Sequence, residues 1–400
     1  MCLFWGSVVA FSARAASQLP VISVQPQGQT AAAGTPVTLS VAVADEQGVT
    51  YEWWNEFGPL YPSQTNALLN LPAVDPGYSG SYKVQVRNHA GTVTSASATL
   101  TVTSGDVENV LVARSGIGTG IDPGGNLDLD AAGNVYAAGA FSGSVTFGSF
   151  TLNSAGGTDA FIVKIDRSGS VVWARRAGGA GNDTAAGVAV DRMGNVHITG
   201  SFTGNADFGG QTVIGGAAQR AFAAMFDRNG NLLWVRPMGG TGTSRGGRIA
   251  SDAAGNSVVL GAFTGSASLG GTTLASAGGP DVFIAKFSAS GTPLWTRRFG
   301  GPGIEQGTGL SLDPAGNALV TGSFQETAGF GAFSLSSELE TQTFIVKCDR
   351  AGAVLWVRNI AGVDSAAGTT VVAEEDGSSD LTGTFSGTTT IGTTSLTNRE

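Results

Sequence analysis

The chain has 400 residues, of which 62 are Gly and 13% are charged, and its formal net charge is −9. That length suits two domains better than one core, and glycines without a three-residue period exclude a collagen. The acidic balance predicts no nucleic-acid partner, because binding a phosphate backbone needs clustered Lys and Arg side chains.

Residues 1–18, MCLFWGSVVAFSARAASQ, have features of a removable leader. An apolar run is followed by Ala13-Arg14-Ala15, an A-x-A type of cleavage pattern, although no basic residue precedes the run. We therefore expect a signal peptide and a secreted or cell-surface protein, with a disordered tail as the alternative. No later stretch reaches the roughly 18 consecutive apolar residues of a membrane span, so none is predicted.

Residues 19–102 alternate apolar and polar side chains in short runs such as TPVTLSVAVA, VTYEWW and GSYKVQVRN. Together with Val41, Trp53, Tyr82 and Val84, this pattern resembles a bacterial immunoglobulin-like domain. The resemblance implies a β-sandwich with Trp53 in the core and Tyr82 in a tyrosine corner. It implies no disulfide, because valines stand at the two cysteine positions of the family. Trp54, next along the strand, should be partly exposed.

Residues 103–108 form a short polar linker, and residues 109–400 repeat with a period of 61. The clearest marker is a column of tryptophans, Trp173, Trp234, Trp295 and Trp356. One period contains four strand-like runs (AAGVAVD, NVHITGSF, AFAAMFD and NLLWVRP) and a short extra hairpin, ADFGGQTVI. The turns D-x-x-G-N and D-R-N-G supply Gly for a positive φ and Asp to accept backbone N–H groups. Four antiparallel strands per period predict one propeller blade.

A second marker is Gly, then Ala, Ser or Thr, then Phe, which recurs at residues 139–141, 200–202, 261–263, 322–324 and 383–385. With these runs the array resembles the seven-bladed β-propeller repeat of exported bacterial proteins. That family has no assigned chemistry, so the resemblance implies no catalytic residue. The predicted fold class is all-β: an immunoglobulin-like β-sandwich plus an incomplete β-propeller array of four-stranded repeats.

The array contains four complete units and partial units at both ends. The front unit is one strand, residues 109–115, in which Val112 stands in the Trp column. The last unit stops before its third strand. We expect an open or strained ring. The alternative is a closed ring, in which residues 109–115 pair directly with the last copy.

Three charged columns accompany the tryptophans. They are Arg114, Arg175, Arg236, Arg297 and Arg358; Asp130, Asp191, Asp252, Asp313 and Glu374; and Lys164, Lys286 and Lys347, with Met225 in the gap. A ligand site seldom needs the same residue in every blade. We therefore expect each Arg to pair with an acid or a carbonyl at the blade junction, with a shared anion site as the alternative. The lysines are interpreted as edge residues whose ammonium groups reach solvent.

Other candidate chemistry is weak. The segment GGAGNDTAA fits a calcium-binding nonapeptide, but Asp183 recurs neither every nine residues nor in the other copies. His89 and His197 lie in different domains, GIGTG at residues 116–120 lacks a following helix, and Cys348 occupies an apolar strand position. We predict no catalytic, metal-binding or cofactor-binding residue and no cofactor, and the sequence leaves the ligand-binding residues unknown.

The sequence thus favours an exported, non-catalytic binding or structural protein, whose loops contact a protein, a glycan or the cell envelope. The alternative is a propeller-based carbohydrate-active enzyme, a glycosidase or lyase, which needs two acids facing each other across a pocket. The acids that break the repeat are Asp207, Glu305, Glu326, Glu338 and Glu340.

Overall fold

The structure is a computed structural model that describes residues 18–45, 47–60, 65–74, 76–103, 117–118, 124–337, 341–362, 366–374, 378–391 and 394–397. Throughout these residues the elements are β-strands apart from one 3₁₀ turn, Pro76–Tyr78. The predicted all-β fold class is confirmed.

The N-terminal unit is a two-layer sandwich. Its strands are β1 Ile22–Val24, β2 Gln29–Ala32, β3 Val37–Ser40, β4 Ala42–Val43, β5 Thr50–Asn55, β6 Gly58–Pro59, β7 Leu68–Leu71, β8 Gly80–Asn88, β9 Gly91–Thr94 and β10 Ala98–Thr103. One sheet has the order β2-β10-β8-β5-β6, with β9 added to β8. The pairs β3-β7 and β1-β4 form the second layer.

The core of the sandwich contains the side chains that carried the immunoglobulin resemblance. Trp53 is fully buried, and its indole N–H donates to the carbonyl of Asn66 at 2.9 Å. The Tyr82 hydroxyl donates to the carbonyl of Tyr78 at 2.9 Å, which is the tyrosine-corner bond. Trp54 is partly exposed, as predicted, and donates to Glu52.

The C-terminal unit repeats one sheet design. Its strands are β11 Ile117–Gly118, β12 Gly124–Leu129, β13 Val135–Phe147, β14 Phe150–Ile165, β15 Val171–Gly179, β16 Thr184–Val190, β17 Val196–Phe202, β18 Ala206–Asp207, β19 Thr212–Val213, β20 Arg220–Phe226, β21 Leu232–Gly240, β22 Ser244–Ser251, β23 Ser257–Phe263, β24 Ser266–Leu269, β25 Thr272–Ala275, β26 Asp281–Phe287, β27 Pro293–Gly300, β28 Gln306–Leu312, β29 Ala318–Phe324, β30 Thr327–Phe330, β31 Phe333–Ser336, β32 Gln342–Cys348, β33 Val354–Gly362, β34 Ala366–Ala373, β35 Ser379–Phe385, β36 Thr388–Ile391 and β37 Thr394–Thr397. Neighbouring strands within each sheet are antiparallel.

Four blades can be defined from the pairing. Blade 1 is β12-β13-β14-β15, blade 2 is β16-β17-β20-β21, blade 3 is β22-β23-β26-β27, and blade 4 is β28-β29-β32-β33. The pair β34-β35 repeats the first two strands of a further blade. These are the strands that the 61-residue period predicts.

The D-x-x-G-N turns close each blade's first hairpin by the predicted bonds. In blade 2, Asp191 Oδ1 accepts the N–H groups of Met193 and Asn195, and its Oδ2 accepts the Asn195 side-chain amide. Gly194 has a φ of 78°. Only Gly takes this conformation without strain, so the turn requires it.

The short hairpin of each period pairs with the preceding blade rather than with its own. Gly178 and Gly179, at the end of β15, pair with Asp207 and Ala206 of β18. The approach is close, because a Cβ on Gly179 would overlap the carbonyl oxygen of Asn205. Each blade is thereby extended by two strands from the next period, which links successive blades through backbone hydrogen bonds.

Strand β11 occupies the same register one period earlier. Ile117 and Gly118 pair with Thr146 and Val145, as Gly178 and Gly179 pair with Asp207 and Ala206. Two residues of the GIGTG segment, Ile117 and Gly118, thus form an outer strand. The predicted front strand, residues 109–115, lies outside the described residues, so ring closure stays a prediction.

Apolar side chains fill the space between blades in large clusters. Phe202, Phe208 and Phe222 are fully buried, with ring centroids 4.8 to 6.5 Å apart. Cys348 is a free, buried thiol, as the sequence predicted, and burial raises its pKa to about 12. It therefore packs as a small apolar residue.

One loop position breaks the glycine pattern and gives a testable prediction. Glu326 has a φ of 55°, where the other copies have Gly143, Gly204, Gly265 and Gly387 at φ of 62 to 75°. A side chain in this left-handed region costs roughly 1 kcal/mol or more. We expect Glu326→Gly to raise the free energy of unfolding by about 1 kcal/mol in urea denaturation. Glu326→Ala, which keeps the Cβ, is the control; equal stability of the two variants would contradict the argument.

Candidate functional site

The Trp and Arg columns hold each blade to a turn of the next. The Trp234 indole N–H donates to Ala289 O at 2.9 Å, and Arg236 Nε donates to Gly291 O at 2.8 Å. The Arg236 guanidinium also lies 5.8 Å from the Trp234 ring. The same bonds, each made to a residue 55 positions further on, recur for Trp173 with Arg175 and for Trp295 with Arg297.

The predicted structural role of the Arg column is therefore confirmed for Arg175, Arg236 and Arg297. Of the two partners expected, it is the loop carbonyls of the adjoining blade that these side chains contact. Because each of the three contacts a different turn, they do not converge on one anion. Arg114 lies outside the described residues.

The tryptophans are not all buried to the same degree. Trp173 and Trp234 are 4% and 3% exposed, which confirms the prediction for these two. Trp295 is partly exposed, so for this copy the prediction of burial is wrong. The Trp234 ring lies 6.0 Å from that of Phe287, whereas Cys348 occupies the Phe287 position one period later. The smaller thiol covers less of the Trp295 indole. Trp356 is also partly exposed.

In blades 3 and 4 the acidic column pairs with the Lys column, which corrects the interpretation of Lys286 and Lys347 as solvent-reaching edge residues. Lys286 Nζ lies 2.7 Å from Asp252 Oδ2, and the Lys286 side chain is only 4% exposed. Lys347 Nζ lies 2.8 Å from Asp313 Oδ2. The pairing was missed because the two columns are 34 positions apart and meet only when the sheet forms.

Blade 2 has no lysine beside its acidic residue. Met225 occupies the Lys column, and His197 occupies the adjacent strand with its Nε2 3.4 Å from Asp191 Oδ2. His197 Nδ1 lies 2.7 Å from the Ser257 hydroxyl, and the ring is fully buried. His89 is exposed in the sandwich, so the two histidines do not form a cluster.

The calcium-like segment contains a buried carboxylate with backbone partners. Asp183 Oδ2 accepts the Gly179 N–H at 2.7 Å, and Oδ1 accepts the Thr203 N–H at 3.1 Å. Burial raises its pKa. Asp159 lies beside it and pairs with Arg176. No group of three or more His, Cys, Asp or Glu side chains suited to a metal ion occurs among the described residues.

Blade 3 repeats this arrangement of an acid, an Arg and a second acid, with Glu305 in the place of Asp183. Arg298 pairs with Asp281 at 2.7 Å, and a Cβ on Gly300 would lie 2.6 Å from both Asp281 Cγ and Glu305 Oε2, so the two carboxyl groups are neighbours. Both acids are at most 1% exposed. Asp281 Oδ1 and Glu305 Oε1 have no N–H or O–H partner in the described part of the chain, and two neighbouring buried carboxylates repel each other unless one of them is protonated. Burial raises the pKa of Glu305 to about 7 and also raises that of Asp281.

Sequence reasoning had singled out Glu305 but not its partner, Asp281. A usable signal was the spacing Asp159, Arg176, Asp183, which recurs two periods later as Asp281, Arg298, Glu305. Of the other acids named, Asp207 accepts the Gly210 N–H in its own turn and Glu326 is exposed. Glu338 and Glu340 lie outside the described residues.

A cleft separates the sandwich from blades 1 and 2. It encloses a cavity of about 130 Å³. Pro72, Ala73 and Tyr78 line it from the sandwich, and the turns of Asp130 and Asp191 line it from the blades, together with Lys164 and Arg228. Arg192 lies 5.7 Å from the ring of Phe57, and Met193 packs against the sandwich core.

The repeat sequence of the blades matches a known family model. The model, described as Beta-propeller repeat (SBBP), matches residues 172–209 and 294–323. The first match runs from the outer strand of blade 1 through the first two strands of blade 2 to the first strand of the short hairpin, β18. The chain contains β-propeller repeats.

A relative among curated proteins is an uncharacterized WD repeat-containing protein of Acanthamoeba polyphaga mimivirus. It is 25% identical over 231 residues, which is 48% of this chain and 17% of the relative. The chain therefore spans less than a fifth of that relative's length.

Solved structures similar to part of the chain include titin domains in complex with telethonin and tandem Ig repeats of Dlar. The first is 13% identical, covers 40% of this chain and 94% of its own, and has a TM-score of 0.20. The second is 19% identical, covers 21% of this chain and 48% of its own, and also has a TM-score of 0.20.

None of the described residues form a helix long and apolar enough to cross a membrane.

Proposed function

We propose that this propeller protein is an exported, non-catalytic binding or structural protein whose blades and sandwich contact a protein or glycan partner at the cell envelope. One observation carries the proposal: the charged columns that recur in the blades are used in contacts between or within blades. Among the side chains left exposed in register are apolar residues on the outer strands of the blades.

These apolar residues form an outer row, defined here as Val172, Leu294 and Leu355. They share one position on the outer strands of blades 1, 3 and 4, and they are 46%, 51% and 48% exposed. Leu233 holds the same position in blade 2 and is half-buried. Apolar side chains that stay exposed in register on several blades lose contact with water when a partner covers them. That burial favours binding of a partner that spans the blades.

Binding can be tested with the purified chain on glycan and protein arrays. We expect saturable binding that Leu294→Glu combined with Leu355→Glu reduces at least about 10-fold, because each charge would be buried against the partner. Thr273→Glu, an exposed substitution outside the row, is the control. Binding that is equal in the double variant and in the control would exclude the outer row as the contact surface.

A carbohydrate-active enzyme is the second candidate, since Asp281 and Glu305 are paired acids. Glycosidases place their two carboxyl groups about 5 to 9.5 Å apart on either side of a bound substrate, whereas these two acids are at most 1% exposed and so do not face a substrate from solvent. We therefore expect the chain to release no product from a panel of glycosidic substrates. Turnover that is abolished in Glu305→Gln would favour the enzyme.

Export forms part of the proposal and rests on residues 1–18, which lie outside the described residues apart from Gln18. Fusing these residues to a reporter enzyme that is active only after export tests the leader directly. We expect reporter activity, and an arginine in place of a central apolar residue, Val8→Arg, should abolish it. Activity that survives Val8→Arg would contradict a signal peptide.

A further inference from the structure

The cleft between the sandwich and blades 1 and 2 contains a lysine that differs from its counterparts in the other blades. Lys286 and Lys347 each form an ion pair with the Asp of their own blade, at 2.7 and 2.8 Å. Lys164, in the same column of blade 1, makes no ion pair within the described residues. Its ammonium group lies 5.0 Å from the ring of Tyr136 and lines the cleft.

Tyr136 is the reason that Lys164 has no carboxylate partner. The Tyr136 hydroxyl lies 3.0 Å from Asp130 Oδ2, which also accepts the Asn134 side-chain amide at 2.7 Å. Val258 and Leu319 stand at this position in blades 3 and 4, and neither can bind a carboxylate. The Asp oxygen that binds lysine in those blades is therefore already occupied in blade 1.

A second cation, Arg228, faces the same cleft. Its side chain has no hydrogen-bond or ion-pair partner among the described residues. Burial, and the positive charge of Arg228, lower the pKa of Lys164, while Asp130 opposes this. Arg228 repels Lys164 across the cleft, and a bound oxyanion would offset that repulsion in addition to the attraction that Asp130 already provides.

The remaining charged groups of the cleft have other partners. Asp130 Oδ1 accepts two backbone N–H groups of its turn, and Asp191 uses both oxygens on its own turn and on His197. Arg192 lies over Phe57. The cavity of about 130 Å³ far exceeds the roughly 10 to 15 Å³ that one water needs, so it has room for a group of several atoms.

We propose that this cleft is a binding site for the oxyanion group of a small ligand, a carboxylate, sulfate or phosphate, held by Lys164 and the exposed Arg228 and bordered on one side by the sandwich. The Arg fork matches two oxygens of such a group, and the Lys ammonium supplies a point charge. The site is separate from the outer row, so it stands whether or not the row binds a partner.

Isothermal titration calorimetry of the full chain with sulfate, phosphate and galacturonate, at constant ionic strength set with chloride, tests the site. We expect saturable binding of at least one of them, and the three titrations separate a carboxylate ligand from a sulfate or phosphate ligand. Lys164→Met should weaken binding at least about 10-fold, because it removes a charge-assisted hydrogen bond. Met225 already fills this column in blade 2, so the fold tolerates the side chain.

Two further variants separate the proposal from a general loss of positive charge. Arg228→Gln should weaken binding, whereas Arg350→Gln, an exposed cation in the same column two periods later, should not. Tyr136→Phe leaves both cations in place but frees Asp130 Oδ2 to pair with Lys164, so it should also weaken binding. Absence of saturable binding of all three anions, or equal affinity in the wild type, Lys164→Met and Tyr136→Phe, would overturn the site.

Discussion

Replacing Trp234 by Ala is expected to lower the free energy of unfolding by about 3 to 5 kcal/mol. The indole is 3% exposed, packs beside Phe287 and donates its N–H to the carbonyl of Ala289 in the next period. Its removal leaves a cavity between two blades and a carbonyl without its donor. Urea denaturation followed by circular dichroism measures the loss.

The matched control is Leu294→Ala, which truncates an exposed side chain on the equivalent outer strand of blade 3. Exposed truncations of this kind change stability by only about 0.5 kcal/mol. Because Trp295 is partly exposed and packs near the smaller Cys348, Trp295→Ala should cost less than Trp234→Ala. Equal losses in the three variants would show that the indole is not the contact that joins the blades.

Replacing Glu305 by Gln is expected to remove a pH-dependent part of the stability. Burial raises the pKa of Glu305 from 4.5 to about 7, so between these values the folded chain holds a proton that the unfolded chain has released. The contribution of this group is full below pH 4.5 and is lost as the pH rises to about 7. A shift of this size corresponds to about 3 kcal/mol.

The side-chain amide that Glu305→Gln introduces would donate to Asp281 at every pH, as the protonated acid does. The difference between variant and wild type in free energy of unfolding should therefore grow in favour of the variant from about pH 4.5 to about pH 8. Urea titrations at several pH values measure it, with Glu326→Gln as the charge-matched control. Parallel profiles for wild type and Glu305→Gln would mean that Asp281 and Glu305 do not share a proton.

The blade strands follow from the sequence because their causes are local. The alternation of side chains and the Asp and Gly of each turn are each visible within about 20 residues, and the 61-residue spacing repeats them. The partner of the short hairpin is not visible in this way. A hairpin such as β18-β19 has two edges, and either could pair with another strand. It pairs with the preceding blade because Gly179 has no Cβ and lets the two backbones approach.

The candidate sites were less predictable, because their residues come together only across strands. The period aligned Asp130 and Lys164 with the same residue types in other copies. It did not reveal that the Tyr136 hydroxyl hydrogen-bonds to the Asp130 carboxylate, whereas a lysine pairs with the equivalent Asp252 carboxylate in blade 3. Glu305 stood out as an exception to the repeat, but its partner Asp281 was hidden 24 positions earlier.

The sequence by itself determined the all-β class, the blade strands, the turn chemistry and the sandwich core around Trp53, since periodicity and turn residues are properties of short segments. Only the tertiary structure decided which blade each hairpin extends, which buried acids lie side by side and which cations line the cleft. Those outcomes depend on distances between side chains of different strands and domains. Such distances are set by the packing of blade on blade and of sandwich on blades, which no single segment encodes.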